Sequence, residues 1–198
     1  MTNHARLFHH GHAHKLDDPE RNTWLPPDGV LAALALRPGM AVADIGCGTG
    51  YFALPLARAV APGGRIFAVD LQPEMLERLR AAAHGEPSIE LVAAEATRTT
   101  LVDASLDLVF LSSVWHELDD HGAALGEFAR LLRPQGRLAL VDWRPDAVSP
   151  HGPPLELRVA GADVVATLGR HGWREATEVP LGAYSYLVSA RRPALRHD

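Results

Sequence analysis

The sequence predicts an α/β fold, a parallel β-sheet with helices on both faces. Short segments that are apolar almost throughout, such as AVADIG (41–46), RIFAVD (65–70) and LDLVFL (106–111), read as strands buried on both sides. Segments with apolar residues at helical spacing alternate with them along most of the chain. The 198 residues, 47% hydrophobic and 22% charged, suit one domain that buries roughly 70% of its unfolded surface.

The elements follow in order. Residues 1–26 form a polar, histidine-rich leader with Phe8 and Trp24 as isolated apolar anchors, set apart from a domain at 27–198 by Pro26-Pro27. Its composition does not read as a secretory signal. DGVLAALAL (28–36) has helical spacing and stops at Pro38-Gly39. After the strand at 41–46, residues 50–60 read as a helix, with Pro55 predicting a kink or a late start. The strand at 65–70 leads to a helix over 73–83, with Pro73 in the first turn and Glu74 and Glu77 near its start. IELVAA (89–94) and LDLVFL are strands, 121–133 is a helix stopped by Pro134, and RLALVDW (137–143) is a strand. A Pro/Gly-rich loop over 144–154 precedes a helix over 155–171 and two last strands, 173–179 and 184–190.

Charge and composition exclude several functions. A net charge of -5 gives no general footprint for nucleic acid, and Arg191, Arg192 and Arg196 read as a solvated tail. No apolar run approaches ~18 residues, so neither a spanning helix nor a membrane partner is expected. Lys15 is the one lysine and lies in the leader, which excludes a P-loop and a Schiff-base enzyme. Cys47 is the one cysteine, which excludes an internal disulfide or a cysteine-rich zinc site and fits a reducing cytoplasm.

Ligands of open parallel sheets bind beyond the carboxyl ends of the strands, and the informative residues lie there. The first strand runs into D-I-G-C-G-T-G, with Asp44, Gly46, Cys47, Gly48 and Gly50 in the turn. Glycines permit a tight turn and a close ligand approach. A dinucleotide fingerprint would need glycine at position 51, which is Tyr51. Asp70 closes the second strand, twenty residues after Gly50, where a carboxylate can accept both hydroxyls of a ribose. Glu95, just past the third strand, reaches the same crevice and can take the amino group of an adenine.

These segments, with AVDLQPEML (68–76), AAEAT (93–97), LDLVFLSSVWHEL (106–118) and LLRPQGRLALVDW (131–143), resemble the class I S-adenosylmethionine-dependent methyltransferases. Within them the chain is most similar to small bacterial relatives of the ubiquinone/menaquinone C-methyltransferases. The resemblance implies a Rossmann-like three-layer sandwich with a seven-stranded, mostly parallel sheet whose last strand is antiparallel. It implies S-adenosyl-L-methionine as cofactor, S-adenosyl-L-homocysteine as product and a small-molecule methyl acceptor. It also implies that Asp44 and the Gly46–Gly50 backbone hold the methionine end and that Asp70 holds the ribose. Leu71, Glu95 and Ala96 then lie at the adenine, and Ser112 borders the reacting methyl.

Methyl transfer is an in-line displacement in which the protein supplies positioning and, for a protonated acceptor, a base. His116, with Glu117 beside it, is the candidate base; the other reading is a histidine satisfied by backbone at a helix start. In the enzymes it resembles, the leader segment folds over the cofactor and shapes the acceptor pocket, so the resemblance implies a lid, with Arg21, Trp24, Trp115 and His116 expected around the acceptor. His116 and His121 are five apart and cannot share a zinc face on a helix. The fourth strand lacks the Asn/Asp-Pro-Pro-aromatic tetrad that resembling enzymes of exocyclic amines carry, which counts against DNA. The lone thiol counts against arsenite, which metalloid methyltransferases hold with several thiolates. Three further readings remain: a non-catalytic S-adenosylmethionine-binding module, an aminopropyl transferase without an evident acidic tract, and a metal-handling protein. The last would use leader residues His4, His9, His10, His12 and His14, which read first as a solvated segment with no fixed metal site.

Overall fold

The structure, a computed structural model, describes residues 8–194; His4 and Arg196 lie outside them. Seven strands form one sheet: β1 (Ala41–Ile45), β2 (Arg65–Asp70), β3 (Ile89–Ala93), β4 (Leu106–Ser112), β5 (Leu132–Trp143), β6 (Arg174–Leu181) and β7 (Ser185–Arg191). Their order is β3-β2-β1-β4-β5-β7-β6. β1 to β5 are parallel, and β7 runs antiparallel to both neighbours. The order reverses between β1 and β4, which opens the crevice above their carboxyl ends.

The two-residue period of the strands builds two cores. Val42, Ile66, Ala68, Phe110, Ala139 and Val141 face one side, where α2 (Pro27–Ala33), α3 (Ala53–Val60) and α4 (Pro73–Ala83) cover them. Ala43, Ile45, Val69, Val109, Leu138 and Leu140 face the other, under α5 (His121–Leu131) and α6 (Gly161–Arg170). The short helix α1 (Arg21–Trp24) precedes α2.

Local chemistry explains the differences from expectation. α3 starts late, at Ala53, so Pro55 sits in the first turn, where its missing N–H has no intrahelical partner to lose. β5 begins at Leu132 rather than 137: Leu106 pairs with Leu132 and Leu108 with Arg137, so residues 133–136 bulge around Pro134, which cannot donate. The helix expected over 155–171 spans only Gly161–Arg170, after a 3-10 turn at Leu155–Leu157. Between them the buried Arg158 guanidinium donates to the carbonyls of Pro153, Arg144, Ala147 and His151, closing the loop on itself.

The leader packs on the domain. His10–Lys15 forms a 3-10 turn with Ala13 fully buried, and Leu25 enters the first core. Among the described residues no helix is long and apolar enough to cross a membrane, and no group of three or more His, Cys, Asp or Glu side chains is placed to hold a metal ion.

Candidate active site

The glycine turn sits at the centre of the crevice. Gly46 and Cys47 N–H groups both donate to Val69 O, at 2.8 and 3.0 Å, so the turn folds toward β2. Gly46 has φ +67°, and a Cβ there would lie 2.4 Å from Val114 Cγ2; at Gly50, φ +98°, it would lie 2.3 Å from Leu79 Cδ1. These two glycines therefore let the β4 loop and α4 close on the turn. Asp70 fastens it: its carboxylate accepts Gly48 N–H at 2.9 Å and Gln72 N–H at 2.9 Å. Each oxygen keeps a second lone pair for a hydroxyl.

Asp44 is 2% exposed at the end of β1, and burial, then the neighbouring Asp70, push its carboxyl up to about 8 against the pull of Arg21. Burial lowers Arg21 to about 10, and its guanidinium lies 4.0 Å over the Tyr51 ring. Among the described residues, three buried side-chain polar atoms lack any hydrogen-bond partner: Arg21 Nε, Asp44 Oδ2 and Ser112 Oγ. All three belong to residues expected at the cofactor or acceptor. A buried polar atom without a partner is costly, so the residues present suit a ligand carrying both charges and polar edges.

The other expected residues fall into place unevenly. Leu71 is 41% exposed, an apolar surface next to Asp70. Glu95 is exposed, Ala96 is half-buried, and Thr97 Oγ1 donates to Glu95 Oε2 at 3.4 Å. Cys47 is buried, which pushes its thiol up and away from reactivity. Trp115, expected in the acceptor pocket, is 1% exposed; its ring stacks on His121 at 4.1 Å within the second core, so it supports the crevice without lining it. Trp24 packs on Trp143, with centroids 5.0 Å apart, and on His151, 4.9 Å apart.

The leader is tied to both halves of the crevice. Gln72 accepts from His10 N–H at 2.8 Å and donates to Phe8 O at 2.8 Å. Phe8 N–H donates to Glu117 Oε1 at 3.2 Å. Arg21 donates to Leu16 O at 3.4 Å, and a Cβ on Gly48 would lie 3.1 Å from Leu16 Cδ1.

His116 lies in a 3-10 turn after β4, its side chain 4% exposed, with Nδ1 2.8 Å from Asp142 Oδ1 and Nε2 3.8 Å from Glu117 Oε1. Burial lowers its basicity, but Asp142 and Glu117 outweigh that and leave it raised. Burial lifts the Glu117 carboxyl to about 7, opposed by His116 and the Phe8 N–H and aided by Asp142 and Asp70. The sequence reading missed Asp142, Gln72, Trp143 and His151. Asp142 had a signal: an acid at the carboxyl end of an apolar strand, like Asp44 and Asp70.

The crevice brings together a glycine turn, two buried acids, a buried arginine and an imidazole bonded to Asp142 with Glu117 3.8 Å away, a set suited to a ligand that carries both charges. Residues 43–140 match the methyltransferase-domain family. The chain is 35% identical over 165 residues to an uncharacterized methyltransferase of Mycobacterium tuberculosis, covering 77% of this chain and 61% of that protein. It is 31% identical over 193 residues to an arsenite methyltransferase of Halobacterium salinarum, covering 82% of this chain and 49% of that one. A crystal structure of an S-adenosylmethionine-dependent methyltransferase from Aquifex aeolicus is 30% identical, with a TM-score of 0.88 over 94% of this chain and 100% of that one. The chain spans 37% to 61% of the length of the curated relatives it matches.

Proposed function

The chain belongs to the S-adenosylmethionine-dependent methyltransferases, and from that premise we propose that it methylates a small-molecule acceptor and releases S-adenosyl-L-homocysteine. The observation that carries this reading is the set of orphaned buried atoms, Arg21 Nε, Asp44 Oδ2 and Ser112 Oγ, around a glycine turn fastened by Asp70. When bound, the cofactor supplies an electrophilic methyl group on a sulfonium.

The residues divide the remaining work. Asp44 and the Gly46–Gly50 backbone hold the amino-acid end, and Arg21 faces it from the leader. Asp70 accepts the ribose hydroxyls, while Leu71, Glu95 and Ala96 border the base. Ser112 lies toward the reacting methyl. His116 takes a proton from the acceptor, with Glu117 beside it. Residues 27–198 act as the catalytic domain and the leader as a lid: Phe8 and His10 bridge Gln72 and Glu117, which excludes water from a charged centre. Trp24, packed on Trp143 and His151, walls the acceptor side.

The arsenite of the Halobacterium relative is not carried over, because the one thiol of this chain is buried in the glycine turn. A buried, unpaired cysteine is in keeping with a cytoplasmic setting.

Two measurements test the reading. Calorimetric titration with S-adenosyl-L-homocysteine is expected to show one site per chain. Incubation of the protein and methyl-labelled cofactor with a small-molecule extract is expected to label an extract component, identified by mass. No binding of either cofactor form would overturn the reading; binding with label only on protein or nucleic acid would overturn the acceptor class.

A further inference from the structure

We propose that Asp142 is the positioning residue for proton transfer and that the acceptor is one whose attacking atom arrives protonated, a hydroxyl or a thiol. The inference rests on the proposed methyl transfer and deepens it.

The Asp142 side chain is 0% exposed and is used on both oxygens. Oδ1 accepts Trp143 N–H at 2.8 Å, and Oδ2 accepts the backbone N–H of His116 at 3.2 Å. With backbone donors on both oxygens, the carboxylate meets His116 Nδ1 as an acceptor, at 2.8 Å. Nδ1 therefore carries the ring proton, and the Nε2 lone pair is left free. The two bonds to His116, one to its ring and one to its backbone, fix both the tautomer and the ring plane.

Among the described residues, Nε2 makes no hydrogen bond of its own. The nearest carboxylate oxygen, Glu117 Oε1, lies 3.8 Å away, beyond hydrogen-bond distance. The charged and titratable groups around the pair come from several elements: Asp142 on β5, Arg158 before α6, Asp70 on β2, and Tyr186 on β7, opposite Asp142 in register. Tyr186 is engaged elsewhere, donating to Val159 O at 3.0 Å. The position free to take a proton is therefore Nε2, with Glu117 beside it to share the charge.

A tertiary amine or thioether has no proton to lose on methylation and needs no such pair. Burying an acid against an imidazole costs desolvation that packing alone does not require. In the step that uses it, the O–H or S–H proton passes to Nε2 as the heteroatom forms its bond to the methyl carbon. The methyl–sulfur bond breaks and its electron pair stays on sulfur. The products are methylated acceptor, neutral S-adenosyl-L-homocysteine and an imidazolium held by Asp142 and Glu117.

The test uses the full chain saturated with S-adenosyl-L-homocysteine. Nitrogen-15 NMR of the histidine rings is expected to find neutral His116 in the Nδ1–H tautomer, a measurement that needs no variant. 4-Nitrophenol and benzyl mercaptan serve as acceptor probes, added below their solution pKa. The wild type is expected to bind one of them as its anion, read by difference absorbance, His116→Ala to lose that signal, Asp142→Asn to reduce it, and Asp142→Glu to restore part of it. An Nε2–H tautomer in the wild type, no anion with either probe, or an equal signal in Asp142→Asn would overturn the proposal. Homocysteine-product affinity is measured alongside: its absence in the wild type would instead overturn the reading of function, leaving the tautomer as an independent result.

Discussion

Asp70 fastens the glycine turn and, under the proposed function, also holds the ribose, and one substitution removes both. In the structure its carboxylate accepts Gly48 N–H and Gln72 N–H, both at 2.9 Å, and Gln72 in turn holds Phe8 and His10. Asp70→Ala orphans two N–H groups. A buried donor left unpaired costs about 1–3 kcal/mol; water entering the crevice, and relief of the burial that pushes the Asp70 carboxyl up, keep the sum at the low end, about 2 kcal/mol. At roughly 2–4 °C per kcal/mol for a chain of this length, the melting temperature falls by about 4–8 °C. Under the proposed function the ribose pair is lost as well. Charge-assisted bonds are worth about 1.5–3 kcal/mol each, and partial replacement by water leaves about 2–4 kcal/mol, or roughly 30- to 700-fold in affinity. Thermal melts and calorimetric titration with S-adenosyl-L-homocysteine, on wild type and Asp70→Ala, measure the two effects apart. Equal affinity would refute the ribose assignment, and an unchanged melting temperature would refute the fastening of the turn.

Three other outcomes are expected. Asp44 has its folded-state carboxyl near 8, against about 3.9 unfolded, so the native state holds the extra proton between those values and stability falls as pH rises through that window, levelling above it. Asp44→Asn is expected to remove that slope, gaining about 1–3 kcal/mol at pH 8 while losing cofactor affinity; urea midpoints across a pH series check it, and parallel slopes would count against it. Gln72→Ala removes the bonds to Phe8 and His10, so amide exchange across residues 8–16 should quicken while β1 and β4 keep their protection. His116→Ala, assayed with an identified acceptor, is expected to lower turnover by ~10²–10⁴, and wild-type activity should rise with pH through the His116 titration, whose midpoint is raised; a flat profile would contradict its role as base.

The sequence by itself determined the fold class, the glycine turn and the acids at three successive strand ends. Those signals are local: apolar runs dictate buried strands, Gly46 and Gly50 take backbone conformations that few other residues tolerate, and Asp44, Asp70 and Glu95 stand at fixed offsets from their strands. Tertiary structure alone decided the partners. His116 and Asp142 are 26 residues apart, and only the parallel pairing of β4 with β5 brings the turn after β4 beside the end of β5. Phe8 meets Glu117 across 109 residues, and Trp24 meets Trp143 and His151 because the leader returns over the strand ends. Trp115 read as a pocket residue from its place in the motif, but the turn after β4 points it into the core beside His121. The helix expected from 155 lost its first turns to Arg158, whose guanidinium finds four carbonyls in a loop that helical spacing could not reveal. Periodicity reports which face of a segment is buried; it carries no information on which distant polar group will meet it there, because that depends on strand order and register.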